Sequence, residues 1–243
     1  CGLCIALCLL SSFVQAQQTP LYSLSSYNQY VINPAYAGVN SYYSAHVNSR
    51  YQFVGIENAP VTTSLSLYGP HKSLPMGWGG MILNDGQGAF SRFAAYGSYS
   101  YSIDLSSVYT LSFGLHAGFM QYTVDLTKVR FLHSEVNVSE DMFQSVKPDA
   151  IFGMYLQSSE LYAGFSLDQL FRNEIDVIDD TLVMNNETIY HLLNHVTING
   201  GYMYSLNSDL ELKPTLRIRY FYRTPLQVEL GTMATYKNIL SKK

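Results

Sequence analysis

The sequence predicts an all-β chain, an antiparallel transmembrane β-barrel of outer-membrane type, on three observations. The first is a two-residue alternation that returns in segments of about ten residues, the length a tilted strand needs to cross a bilayer. From Leu210 to Tyr222, Leu210, Leu212, Pro214, Leu216, Ile218, Tyr220 and Tyr222 share one face, and Glu211, Lys213, Thr215, Arg217 and Arg219 the other. The second is low charge, 13% against a usual share of about 25%, with no long apolar run beyond the N-terminus. That combination excludes helical membrane spans and fits strands whose every second residue faces lipid. The third is aromatic content: 14%, with 21 Tyr, 12 Phe and one Trp. Tyrosine joins an apolar ring to a polar tip, which suits the membrane–water boundary. A Tyr-rich extracellular β-sandwich is the soluble alternative.

The N-terminus reads as an export signal. Leu3 to Leu10 is an apolar core, and Val14-Gln15-Ala16 is a small-x-small cleavage site before Gln17. Residues 1–16 are expected to be a signal peptide whose basic n-region is missing, since the chain begins at Cys1. A cleaved signal on a barrel places it in the outer membrane of a Gram-negative bacterium. All three cysteines, Cys1, Cys4 and Cys8, lie in this segment. The mature chain is therefore expected to have no disulfide and no thiol chemistry. Residues 17–41 are expected to form an N-terminal periplasmic segment and residues 42–243 the barrel.

Alternation then assigns ten strands in order. The first runs near Tyr43–Phe53, with Arg50 on its polar face, and the second near Val61–Tyr68. The third, Met76–Asn84, is glycine-rich. The fourth is Arg92–Ile103, the fifth Tyr109–Gln121, the sixth Ala150–Gln157 and the seventh Leu161–Asp168. The eighth, Tyr190–Tyr204, turns His191 and His195 inward. The ninth is Leu210–Tyr222 and the tenth Leu226–Tyr236. Barrels of this type have short turns on one side and longer loops on the other. The links Gly69–Pro75, Asp104–Ser107, Ser158–Glu160 and Ser205–Asp209 are expected to be short. Asp85–Ser91, Tyr122–Asp149 and Gln169–Ile189 are expected to be longer. Arg223–Pro225 breaks the rhythm by being short on the long side. The last strand runs into Lys237-Asn238 and Ser241-Lys242-Lys243, so further C-terminal strands are expected to be missing.

Candidate chemistry is sparse. His191 and His195 stand about 13 Å apart on one strand, too far to share a metal ion. Asp176, Asp179, Asp180 and Glu187 lack the calcium-loop pattern of acidic ligands around a central glycine. Asn84-Asp85-Gly86 reads as a turn signal. No phosphate-binding or dinucleotide fingerprint exists, no nucleophile elbow surrounds any serine, and no cofactor is expected. A net charge of −4 without a basic tract argues against nucleic acid. Arg50, His191, His195, Glu211, Lys213, Arg217, Arg219 and Glu229 are expected to face the lumen. There the charges pair, because a buried charge needs a partner.

One segment lies outside barrel logic: Gln29-Tyr-Val-Ile-Asn-Pro-Ala-Tyr-Ala-Gly38. Tyr27 and Ile32–Gly38, with Asn33, Pro34, Ala35, Ala37 and Gly38, resemble the opening of the PorP/SprF family of type IX secretion outer-membrane proteins. So do Gly77–Gly79, followed by Asn84, Asp85 and Gly88, and the tyrosine-rich Tyr96–Ile103. Phe113–Gly118, Pro148-Asp149-Ala150 with Gly153, and Tyr162–Leu167 look similar too. The chain departs from the family at its end, where a Tyr-x-Tyr-Asp strand and a Ser-His-Glu strand are not found. The resemblance implies a non-catalytic barrel working with the type IX secretion components. It further implies secretion or surface attachment of a cargo protein such as a gliding adhesin. The rival class is an outer-membrane pore or transporter for small solutes. A plugged lumen would favour the first, an open water path the second.

Overall fold

The computed structural model describes residues 28–56, 58–128, 142–175, 190–191, 193–207, 209–221 and 224–236. The expected signal peptide, Tyr27, Arg130, Glu135, Glu140, Asp141, Asp176, Asp179, Asp180, Glu187 and Tyr222 fall outside them. Two 3-10 turns, Gln29–Val31 and Pro34–Gly38, precede the strands. The strands are β1 Ser44–Tyr51, β2 Val61–Pro70, β3 Met76–Gln87, β4 Phe90–Asp104, β5 Thr110–Asp125, β6 Met142–Gln157 and β7 Leu161–Asp168. They continue with β8 Glu174–Ile175, β9 Tyr190–His191, β10 His195–Tyr202, β11 Tyr204–Ser205, β12 Leu210–Phe221 and β13 Gln227–Tyr236. A third 3-10 turn, Leu126–Lys128, follows β5. No described helix is long and apolar enough to cross a membrane.

All pairings are antiparallel, and eleven strands make one sheet in the order β1 to β7, then β10, β12 and β11, with β13 on β12. β11 pairs with β12 in the register β10 has already set, Gly201 opposite Thr215 and Tyr204 opposite Leu212. The two are one strand interrupted at Met203, which leaves the ten long strands the alternation predicts. Among the described residues β1 and β13 are not paired to each other. The architecture is the all-β, outer-membrane-type sheet expected from the sequence, open between those two edges.

The sheet is curled, and one contact set proves it. Asn28 reaches Ser66 on β2. Asn33, five residues on, reaches the Met154 carbonyl on β6 and the Phe165 carbonyl on β7. On a flat sheet β2 and β7 lie five spacings apart, about 24 Å. Five residues in 3-10 turns advance only about 10 Å. The strands therefore wrap around this segment. Inward positions are buried and outward ones bare, with a period of two: on β12, Arg217, Arg219 and Phe221 are buried, while Leu216 and Tyr220 are exposed. Val47, Leu65, Trp78, Leu115 and Ile198 continue the exposed apolar face. An outer wall of this kind is stable only against lipid.

Several boundaries differ from the sequence expectation. Asn84 and Asp85 belong to β3 and do not form a turn. Asn84 is exposed, and Asp85 accepts a hydrogen bond from Thr62 at 2.5 Å. The turn falls at Gly88-Ala89, where Gly88 adopts φ +62, a conformation glycine takes without steric cost. The expected long link Asp85–Ser91 is therefore two residues. β6 begins at Met142 rather than Ala150, and carries Pro148 opposite Phe119. A proline is tolerated there because β7 pairs only from Phe152 onward, leaving that flank of β6 an edge. The eighth expected strand is broken. Its regular part starts at His195, while His191 pairs with Glu174 in a separate two-stranded ladder.

Candidate functional site

The segment from Asn28 to Gly38, part of the expected N-terminal segment 17–41, is packed on the inner face of the sheet. Its local shape is dictated by Asn33-Pro34. Asn33 is extended (φ −146) and its Oδ1 accepts from the Ala35 backbone N–H at 3.0 Å. Pro34 follows at the first helical position, where its missing N–H has no partner to lose. Tyr30, Ala35 and Ala37 are fully buried, and Asn33 is 1% exposed.

The wall is built to receive it. Five inward positions carry glycine where the segment comes closest, and a Cβ on any of them would collide with a neighbour. Gly77 lies against the backbone of Gly38, and Gly114 against Pro34 and Ala35. Gly153 lies under Asn33 Oδ1 and Pro34, and Gly79 under the Tyr30 hydroxyl, 2.6 Å from where its Cβ would sit. Gly164 is crowded by Asn199 first and by Asn33 second. These gaps expose strand carbonyls, and Asn33 uses them: its Nδ2 donates to Met154 at 2.9 Å and to Phe165 at 3.2 Å. The side chain thus ties β6 to β7 while capping its own turn. His116, fully buried, places Nε2 3.2 Å from the Tyr30 carbonyl, and Asn28 Nδ2 donates to Ser66 Oγ at 2.9 Å. The Tyr30 hydroxyl bonds Ser98, and burial pushes its phenol up to about 12.

Aromatic rings span the interior through this segment. His46 stacks on Tyr68 at 5.8 Å, and Tyr68 stacks on Tyr30 at 4.4 Å. Tyr36 meets Tyr68 and Tyr155 edge-on, and Tyr155 stacks on Tyr162. The Lys213 ammonium lies 4.6 Å from the centre of the Tyr162 ring, a cation–π contact. Tyr36 therefore completes a row running from β1 to β12, and Tyr30 joins it from the side at Tyr68.

A second layer lies towards the long links. Tyr96 donates to Asp149 at 2.7 Å, bridging over β5 at the level of Gly118. Asp168 stands opposite His195, and His195 opposite Phe221, its ring centre 4.7 Å away. Asp149, Gln169 and His195 are almost wholly buried. Yet Asp149 Oδ1, both Gln169 amide atoms and both His195 ring nitrogens have no hydrogen-bond partner among the described residues. Gln169 also holds φ +57, rare for a side-chain-bearing residue.

Of the residues singled out in the sequence, Asn33, Pro34, Ala35, Ala37 and Gly38 converge in the packed segment 28–38. His195, Arg217 and Arg219 are buried on the inner face, and Arg50, Glu211, Lys213 and Glu229 stand there half-exposed. Arg217 donates to Glu229 at 2.7 Å, and Arg219 lies 3.9 Å from it. His191 is not on the strand of His195. No three described His, Cys, Asp or Glu residues converge as metal ligands. Sequence reasoning met Tyr96, His116 and the five glycines of the floor only inside the motifs of the family resemblance and gave them no physical role. The signal was present in the inward glycines Gly77, Gly79, Gly114, Gly153 and Gly164.

A family model described as type IX secretion system membrane protein PorP/SprF matches residues 14–241. Comparison with curated proteins finds no match. The match covers the segment 28–38, its glycine seat and every described strand, so the chain belongs to the PorP/SprF family of type IX secretion system membrane proteins.

Proposed function

We propose that this chain is a non-catalytic outer-membrane component of the type IX secretion system that holds a secreted partner, such as an adhesin, at its long-link end. The observation that carries the reading is the packed segment 28–38. A barrel whose interior is filled by its own chain does not need an open path to serve as an anchor. The partner contact is assigned to the links 126–141 and 169–194. Long links in a compact domain are usually functional, and binding residues concentrate on such loops.

Deleting residues 177–186 tests this. The barrel should still assemble and stay heat-modifiable on gels, while surface display of the cargo is lost. If display survives that deletion and also shortening of 129–141, the contact is elsewhere. The membrane assignment has its own check. Leu216, exposed on the outer face, should impair assembly as Leu216→Arg, since a cation near mid-bilayer costs about 2–4 kcal/mol. Normal assembly of that variant would count against a lipid-facing β12.

A further inference from the structure

We propose that residues 28–38 are a withdrawable stopper, and that the barrel conducts small hydrophilic solutes when the segment leaves. The inference rests on the chemistry of the wall and is independent of which partner the outer links hold. A small barrel that is always shut fills its interior with its own large side chains. This wall does so only in part, with Tyr68, Met120 and Tyr155 among its buried side chains. It recedes to glycine beneath the segment and turns hydroxyls and amides inward around it: Thr62, Ser64 and Ser66 on β2, Ser166 on β7, Thr197 and Asn199 on β10. Such groups are what a water path is lined with. Ser100 Oγ has no hydrogen-bond partner among the described residues while the segment is seated. Water entering would satisfy it.

Apolar packing holds the segment in two places. Met81, Leu83, Ala94, Met120 and Ile151 cluster with Tyr30, Val31 and Ala37 of the segment. Ala35 and Tyr36 pack in a second place, against Tyr155 and Tyr162. The remaining ties are exchangeable with water: the Asn28–Ser66 and Tyr30–Ser98 bonds, the Tyr30 carbonyl on His116, and Asn33 on two strand carbonyls. The stopper is tethered to β1 by residues 39–43, which reach about 17 Å when extended. It can leave its seat and remain attached.

The test uses the full-length protein in planar bilayers with KCl, and a reporter, Ala37→Cys, read with a water-soluble maleimide. Residues 9–243 hold no cysteine, and the parent protein labelled in parallel gives the background. The parent protein should be closed most of the time and Ala37→Cys unlabelled. Gly153→Val fills the space Asn33 occupies, and Asn33→Ala removes the tie between β6 and β7. Either should raise the open probability about tenfold or more and expose Ala37→Cys, because a small change in seating energy shifts a two-state population steeply. Deletion of 28–38 should give the same unit conductance, held permanently. Three results overturn the proposal. In one, Ala37→Cys is labelled in an assembled, heat-modifiable barrel that does not conduct. In another, Ala37→Cys stays unlabelled in both seat variants. In the third, the deletion variant fails to assemble, which makes the segment permanent core.

Discussion

The two layers of the interior differ in how their central side chains are satisfied, although the first also holds Asn28 Oδ1, Gln29 Oε1 and His116 Nδ1 without partners among the described residues. In the stopper layer every polar function of Asn33 is used: one oxygen caps its turn and one amide nitrogen serves two strands. Its neighbours are glycines and stacked tyrosines. In the layer towards the long links, Asp149, Gln169 and His195 are as deeply buried, yet most of their polar atoms lack partners among the described residues. The first layer is a fitted joint, where small changes of shape are costly. The second is a polar chamber in which the Tyr96–Asp149 bond is made but Gln169 and His195 keep side-chain atoms without partners among the described residues. Fit gives uniqueness, whereas unmatched polarity leaves room for water or an incoming chain.

The largest effect should come from breaking the joint. Gly153→Val puts branched carbon where Asn33 Oδ1 and Pro34 now lie. Overpacking of this kind costs about 3 kcal/mol, read as a lower unfolding midpoint in detergent. Gly97→Ala is the matched control, because a Cβ at Gly97 meets nothing within 4 Å. Its effect should stay near zero, and equal damage from both would show that the floor is not what Gly153 provides. Next comes Asn33→Ala, which leaves the turn uncapped and the Met154 and Phe165 carbonyls without its amide. The expected loss is about 2 kcal/mol. Glu229→Gln should cost less, about 1 kcal/mol. Its pair with Arg217 is half open to solvent on the Glu229 side, at 36% exposure. A loss from Glu229→Gln above that of Asn33→Ala would reverse the ranking of the layers.

How much of this was legible in the sequence follows from the same contrast. Alternation is a local signal, so the ten strands and the inward turn of Arg217 and Arg219 could be read directly. The ends of β3 and β6 could not. Asn84-Asp85 and Pro148 carry turn propensity that the sheet overrides: Gly88 takes the actual turn, and the short β7 leaves Pro148 on an edge. The stopper lay between these cases. Asn33-Pro34 announced a break in regular structure, but nothing within the segment says what it packs on. The answer sits in glycines up to 131 positions away, Gly164 being the farthest from Asn33. They look like ordinary weak points of strands until the chain they accommodate is placed over them. The deeper chamber was less legible still, because Asp149, Asp168 and His195 come from three strands with no shared spacing.

The smallest predicted effect is the sharpest test of the comparison. His195 is 4% exposed, its ring packs on Phe221, and neither ring nitrogen has a partner among the described residues. A buried polar group without partners contributes packing but no hydrogen-bond energy, and an apolar side chain of similar shape replaces it at little cost or with a gain. His195→Phe should therefore change stability by less than about 0.5 kcal/mol in either direction. Asn33→Ala, at equal depth in the same barrel, should cost several times that. Urea unfolding of the two variants in one detergent compares them directly. Equal losses would mean that the chamber is satisfied after all, by water or by the outer links. The contrast between a fitted joint and an unmatched chamber would then collapse into one continuous core.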